Sequence, residues 1–399
     1  MNESLCILAG WLIDGTGGPI RRDVVVQVVD GMIVNVKKTL SIQDALSAPH
    51  TMVVDLSHCT LLPGLVDSHV HLTMSGTSDP QIRQRQLSFT FDQAESVISM
   101  HLEQHLFRGI VAVRDGGDAA AHTLRYKNER LPSEKLPIHV KCAGKAWRAR
   151  GRYGRLIGRP PEDGSTLAQC IMSRERRGDH VKVVNSGLNS LTQFGKETLP
   201  QFSPEELEAA VQACRKHGLK VMVHANGALP VRVAVDAGCH SIEHGFFMGT
   251  ENLERMAELQ VFWAPTTFSM RAYAGELPAG SLEVDVSMKN LEHQLKQLTH
   301  ARRLGIPVVV GTDCGSLGIH HGSAFAEELK LFMEAGFSVP EAIQCATFEG
   351  ARLLGMENEL GQLKRGMPAT FVALRGDPSS LPDSLSNPES VYVRGCPMT

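Results

Sequence analysis

Short β-branched runs mark both ends of the chain, and alternating apolar and helical segments fill the space between them. Near the start, Val24-Val-Val-Gln-Val-Val-Asp30 and Ile33-Val-Asn-Val36 flank Asp30-Gly31, a dipeptide that tolerates the positive φ angles of a tight hairpin turn. Near the end, Thr370-Phe-Val-Ala-Leu374 and Ser390-Val-Tyr-Val-Arg394 are parted by Gly376-Asp-Pro. Two β-rich ends around a long middle predict a small sheet domain assembled from both termini. In the middle, apolar runs recur at 110–113, 138–140, 181–184, 221–223 and 307–310. Helical stretches with capping signals lie between several of them. Ser203-Pro-Glu-Glu opens one: Ser203 can cap, Pro204 suits the first helical position, and Glu206 completes a capping box. This helix is expected to run to Lys216 and stop at His217-Gly218. Ser338-Val-Pro-Glu opens another. Such alternation over roughly 300 residues predicts an α/β fold with a parallel sheet, most simply an eight-stranded barrel whose chemistry sits at the carboxyl ends of the strands.

Composition narrows the function without naming it. The chain has 399 residues, 42% hydrophobic and 21% charged, enough for one large barrel with a small companion. A net charge of -3 provides no long-range attraction for nucleic acid or an anionic membrane. No apolar run approaches the ~20 residues of a membrane helix. The first residues, Met1-Asn-Glu-Ser-Leu-Cys-Ile, lack the pattern of a secretory signal. Nine scattered Cys with no Cys-x-x-Cys suit reduced, buried thiols, so a cytoplasmic protein is expected.

The candidate chemistry begins at Leu61-Leu-Pro-Gly-Leu-Val-Asp67, which reads as a buried strand. If the chain stays extended to Leu72, His69 and His71 project from one face at its carboxyl end. Two neutral imidazoles on one face suit a divalent metal. In a chain with 17 His such a pair counts for little alone. What counts is convergence with other strand ends. Lys182 sits inside the apolar run 181–184, His224 ends the run that starts at Val221, His244 follows Ser241-Ile-Glu, and Asp313 follows Pro307-Val-Val-Val-Gly-Thr. A barrel would bring all six to one rim.

These residues, with Trp11-Leu-Ile-Asp-Gly-Thr-Gly17, Val113-Arg-Asp-Gly116, Ile242-Glu-His-Gly245 and Gly361-Gln-Leu-Lys-Arg-Gly366, carry a resemblance over nearly the whole length. The chain resembles the amidohydrolase superfamily, in particular its imidazolonepropionase-like and Xaa-Pro dipeptidase-like group. The resemblance implies a (β/α)8 TIM-like barrel over residues 60–359 and a small β-sandwich from residues 1–59 and 360–399. It makes His69, His71 and Asp313 ligands of a buried metal, and His224 and His244 ligands of a more exposed one. Lys182 matches the lysine that such enzymes carboxylate to bridge two metals. Physics agrees, since a bare ammonium is costly to bury in an apolar strand and has no lone pair for a cation. The implied mechanism uses a hydroxide bridging two divalent ions, acidified toward a pKa of ~7. Asp313 would take its proton and pass it to the departing nitrogen. Zinc is the first choice for this ligand set.

Deaminases of the superfamily often carry a Glu three positions after the fifth-strand histidine; here that position is Gly227. With Lys182, this favours a binuclear hydrolase of a small amide, an N-acyl amino acid or dipeptide. A mononuclear cyclic-amide hydrolase or deaminase of the imidazolonepropionase type is the alternative. A non-catalytic scaffold of the same fold is a third, set against by the retained ligands. For substrate binding, Arg152 and Arg155, with Tyr153, could clamp a carboxylate from the loop after the third strand. The Gly-Gly-His-Gly type sequence common there in dipeptidase-like relatives is missing. Glu243 could orient an imidazole or serve strand-end hydrogen bonding, Arg114 could give polar support under the site, and His320 and His321 are expected to be a solvent-exposed pair. The expected partner is a small molecule, with homo-oligomerisation left open.

Overall fold

The computed structural model describes residues 4–38, 51–173 and 178–398. The first four strands are β1 (Ser4–Leu12), β2 (Arg21–Val29), β3 (Met32–Lys38) and β4 (Thr51–Pro63). The middle of the chain supplies β5 (Leu65–Val70), β6 (Ile110–Asp115), β7 (His139–Cys142), two-residue strands β8 (Ala146–Trp147) and β9 (Gly158–Arg159), then β10 (His180–Val184), β11 (Lys220–Ala225), β12 (Ser241–His244) and β13 (Phe262–Ala264). β14 (Phe371–Arg375), β15 (Ser390–Val393) and β16 (Cys396–Met398) end the chain.

The two ends meet in one seven-stranded sheet, ordered β16-β15-β14-β4-β1-β2-β3. The hairpin between β2 and β3 turns at Asp30 and Gly31, both with positive φ (49° and 74°), as a primed turn requires. The sheet is mixed, because β1 runs parallel to β4 but antiparallel to β2. Its apolar face, including Leu5, Ile7, Val26, Leu61 and Phe371, forms a core of its own. β4 extends through Pro63, where it pairs with Phe371, and Gly64 alone separates it from β5. The run 61–67 therefore serves two sheets, its first residues the terminal one and its last the parallel one.

The parallel strands fall into sheets β5-β6-β7 and β13-β12-β11-β10-β8-β9; β5, β6 and β10 are buried throughout, as central parallel strands require. Residues 307–310 lie between them: Trp263 N donates to Pro307 O, Val309 N to Trp263 O, and Ser68 N to Val310 O. On the other side, Asp179 N donates to Cys142 O. The helix Pro204–Lys216 starts at its predicted cap, with Ser203 accepting from Glu206 N, although Glu206 does not reciprocate. Ser338 and Glu341 form the complete box at the helix Val339–Ala346.

Gly109 is one glycine that lets the terminal sheet seat closely on the parallel strands. Gly109, just before β6, has φ +78°, and a Cβ there would stand 2.2 Å from Cγ2 of Val372 on β14. Gly109→Ala should lower stability by about 2 kcal/mol or more, from a left-handed backbone plus overpacking. Urea unfolding of Gly109→Ala and of Gly109→Ala/Val372→Ala separates the two, since the double variant should recover only the packing part.

Candidate active site

The carboxyl ends of the strands bring the six candidate side chains to one cavity. His69, His71, Lys182, His224, His244 and Asp313 all line it, and its volume is about 270 Å³. His69 belongs to β5 and His71 follows its last residue; their rings are 5.5 Å apart. The His69 and His244 rings lie 5.0 Å apart, and those of His224 and His244 4.6 Å. Oδ1 of Asp313 is 3.6 Å from Nε2 of both His69 and His71. The ligand atoms of these three residues all lie within 4.8 Å of one another. His244 and Asp313 reach the cavity from strained backbone, with φ of 67° and 60°, conformations that cost of order 1–3 kcal/mol each and cluster at functional sites.

Each imidazole is held by the nitrogen that faces away from the others. Nδ1 of His69 lies 2.7 Å from Oε2 of Glu243, Nδ1 of His71 lies 2.9 Å from Gly117 O, and Nδ1 of His244 lies 2.7 Å from Thr266 Oγ1. For His224 it is Nε2 that meets Gly187 O, at 3.1 Å. Where the outer nitrogen carries the proton, the inner one keeps its lone pair. Burial also suppresses ring protonation: it moves His71 to about 4 and His224 to about 3, and puts His69 and His244 well below the ordinary value. These are neutral imidazoles, the form a metal binds.

The residues fit a divalent metal. Nε2 of His69 and Nζ of Lys182 are buried and have no hydrogen-bond partner, an arrangement that costs free energy unless something occupies it. The wall is also cut back to leave room. A Cβ on Gly116 would stand 2.8 Å from Cε1 of His71 and 3.5 Å from Nε2 of His69. Burial lowers the Lys182 amine to about 8 and raises the Asp313 carboxyl to about 7.

The amidohydrolase family pattern matches residues 60–396. The chain belongs to that family. It is 25% identical over 405 residues to the ochratoxinase of Aspergillus niger, covering 93% of this chain and 81% of the relative. It is 26% identical over 358 residues to an imidazolonepropionase of Anaeromyxobacter sp. (strain K), covering 82% and 78%. A solved Xaa-Pro dipeptidase with bound methionine superposes with a TM-score of 0.81 at 24% identity, over 99% of this chain and 100% of that one. The chain's solved neighbours share the TIM-barrel type of amidohydrolase fold, and this amidohydrolase is a hydrolase acting on carbon–nitrogen bonds. No helix among the described residues is long and apolar enough to cross a membrane.

Beneath the site the amidohydrolase carries a buried ionic network. Arg114 on β6 donates from Nη2 to Oε1 of Glu243 (2.8 Å), from Nε to Ser68 O (2.7 Å) and from Nη1 to Ser241 Oγ (2.9 Å). Glu243 neighbours His244 in sequence, yet the imidazole it orients is that of His69. Tyr153 lines the cavity, with its ring 5.4 Å from that of His224. Arg152 and Arg155 are exposed and are not on its wall. Arg152 Nη2 donates instead to Leu199 O, at 2.9 Å, so the loop's own folding takes up this arm of the expected clamp. The arginine that does line the cavity is Arg83, whose Nη1 donates to Thr77 O and Gly315 O at 3.3 Å. No sequence signal marks it, because a surface arginine on a short helix is ordinary. Of the pair expected to be solvent-exposed, His320 is exposed but His321 is only 3% exposed, because its ring stacks on that of His101 in the interior.

Glu243→Gln should lower metal affinity 10–100-fold by removing the charge that fixes His69. Competition with a chelator measures it. Affinity equal to that of the parent protein would show that Glu243 serves folding alone.

Proposed function

We propose that this amidohydrolase cleaves a small amide, an N-acyl amino acid or dipeptide-like molecule, at a centre of two divalent ions. The observation that carries the reading is a cavity that gathers four neutral imidazoles, one unpartnered amine and one carboxyl. His69, His71 and Asp313 would hold the inner ion, His224 and His244 the outer one, with zinc the first choice for such donors. Lys182 would join them as its carbamate. The neutral amine would add to carbon dioxide, the new N–C bond forming as one C=O π bond breaks and one proton is released, and the resulting anion would offer oxygen donors where a buried ammonium would offer none. When bound, the ions supply Lewis acidity and an activated water at neutral pH.

The protein's own groups do the rest. Asp313, held at Oδ2 by Ser316 Oγ (2.9 Å), accepts a proton from the attacking water and delivers it to the departing nitrogen. Arg83 stands on the cavity wall, where a fork of donors suits a substrate carboxylate; it replaces Arg152 and Arg155 in that role. Gly227 supports hydrolysis over deamination. Its φ is +91°, a left-handed backbone that a Glu at this position would adopt only with strain.

The same reading takes residues 60–359 as the barrel and 1–59 with 360–399 as the β-sandwich domain. Support for a closed eight-stranded barrel comes from the hydrogen bonds of residues 307–310 to both Trp263 and Ser68. A cytoplasmic setting is proposed from the reduced thiols, with nine free cysteines. A mononuclear centre of the imidazolonepropionase type is the second reading. It is favoured by one observation, that the tight donor set comprises His69, His71 and Asp313 alone.

Lys182→Ala should lose one ion per chain relative to the parent, measured by elemental analysis after loading with zinc and bicarbonate; unchanged content selects the mononuclear reading. Asp313→Asn should fold normally and lose turnover about 10²–10⁴-fold. Arg83→Met should raise KM about 10–100-fold for N-acyl amino acids, the worth of a charge-assisted hydrogen bond. Simple neutral amides should be little affected, and an equal rise for both would remove Arg83 from carboxylate recognition.

A further inference from the structure

A second set of metal-type donors lies behind the strand end that carries Asp313. His101 and His105 sit four residues apart on the helix Phe91–Phe107 and are both buried, so they share one face. His321 comes from the turn after Asp313 and stacks on His101, with ring centroids 3.8 Å apart. Cys314 follows Asp313 directly, but its Sγ lies against Thr312 Oγ1 and His320 O and off the cavity wall. The ligand atoms of His105, Cys314 and His321 all lie within 4.8 Å of one another, and all three residues are buried.

The hydrogen bonds identify these atoms as lone pairs. Nδ1 of His105 meets His101 O at 2.8 Å, and Nε2 of His321 meets Met74 O at 2.7 Å. A carbonyl only accepts, so each of these nitrogens bears its ring's proton. The remaining ones, Nε2 of His105 and Nδ1 of His321, are buried without a hydrogen-bond partner. Two buried lone pairs facing a thiol lack an electrophile. Such pairs are expensive to bury unmet. A carboxylate stands beside them, since Oδ2 of Asp67 lies 3.7 Å from Nε2 of His105.

We propose that His105, Cys314 and His321, with Asp67 as fourth donor, bind a structural divalent metal, separate from the centre in the cavity. The set of two imidazoles, a thiolate and a carboxylate is one that zinc takes in tetrahedral geometry. Its charges cancel: two positive on the ion, one negative on the thiolate, one on the carboxylate. A buried neutral unit results. Bond lengths of about 2.0–2.3 Å place tetrahedral donors roughly 3.3–3.6 Å apart, so the three atoms, each within 4.8 Å of the others, would close by at most about 1.5 Å, and Asp67 would approach from the His105 side. The ion would pin the helix Phe91–Phe107 and the turn at His321 to the segment Thr312–Cys314, and so hold Asp313 in its strained conformation. Its binding requires loss of the Cys314 thiol proton, released to solvent on loading.

The test is independent of the reading of the cavity, whose candidate donors are nitrogen and oxygen only. The full chain is stripped of metal, reloaded with Co2+ alone, and its absorption recorded. A sulfur-to-cobalt charge-transfer band in the near ultraviolet is expected. It should vanish in Cys314→Ser together with one ion per chain, and persist in a Cys396→Ser control that removes the exposed thiol. A loaded parent protein without that band overturns the proposal, and that measurement needs no variant to fold. So does a band that survives Cys314→Ser. Either failure leaves the two-ion reading of the cavity standing, because loss of metal in Lys182→Ala tests that separately.

Discussion

The carboxylate of Glu243 is the interaction on which the site depends. One of its oxygens receives Arg114 and Ser241, and the other meets Nδ1 of His69. In the low-dielectric interior a lone carboxylate would be costly; paired with a guanidinium and fully hydrogen-bonded, it is tolerated. That pairing lets it hold the His69 ring in one tautomer, with Nε2 bare toward the cavity. The backbone carbonyls of Gly117 and Gly187 and the Thr266 hydroxyl hold the outer nitrogens of His71, His224 and His244. Four rings are thereby aimed inward and kept neutral by the burial that makes the site dry.

The segment after residues 307–310 forms the wall of two chemical environments. Asp313 faces the cavity, while Thr312 bonds Asp67 through Oγ1 (2.7 Å) and its own N–H (3.1 Å) on the opposite side. Asp313 N donates to His69 O at 2.8 Å, which ties the strained residue to β5 at the level of the paired histidines. The positive φ at Asp313 is thus carried by neighbours on both sides. This over-determination is the condition under which backbone strain persists.

Much of the molecule was legible because its signals are local. The Asp30-Gly31 turn, the Ser203 and Ser338 caps and the strand runs each follow from a few adjacent residues, and the structure reproduces them. The six cavity residues were also legible, since five follow apolar runs, Lys182 interrupts one, and the family pattern places those runs in order. Less legible was anything that depends on which surface faces which. Residues 61–67 looked like a single strand because hydrophobicity does not reveal a change of sheet across Gly64. Arg152 and Arg155 looked like a clamp because loop sequence does not say whether an arginine turns inward or spans to Leu199 O.

Periodicity, capping and the order of strand-end residues were therefore settled by the chain itself, each being a property of short sequence windows. Side-chain partnership was settled only by packing. Glu243 joined to His69 across 174 positions, Arg83 set on the cavity wall, and His321 buried against His101 all depend on distances between remote segments. Those distances arise when the parallel strands assemble, and no short window of residues contains them.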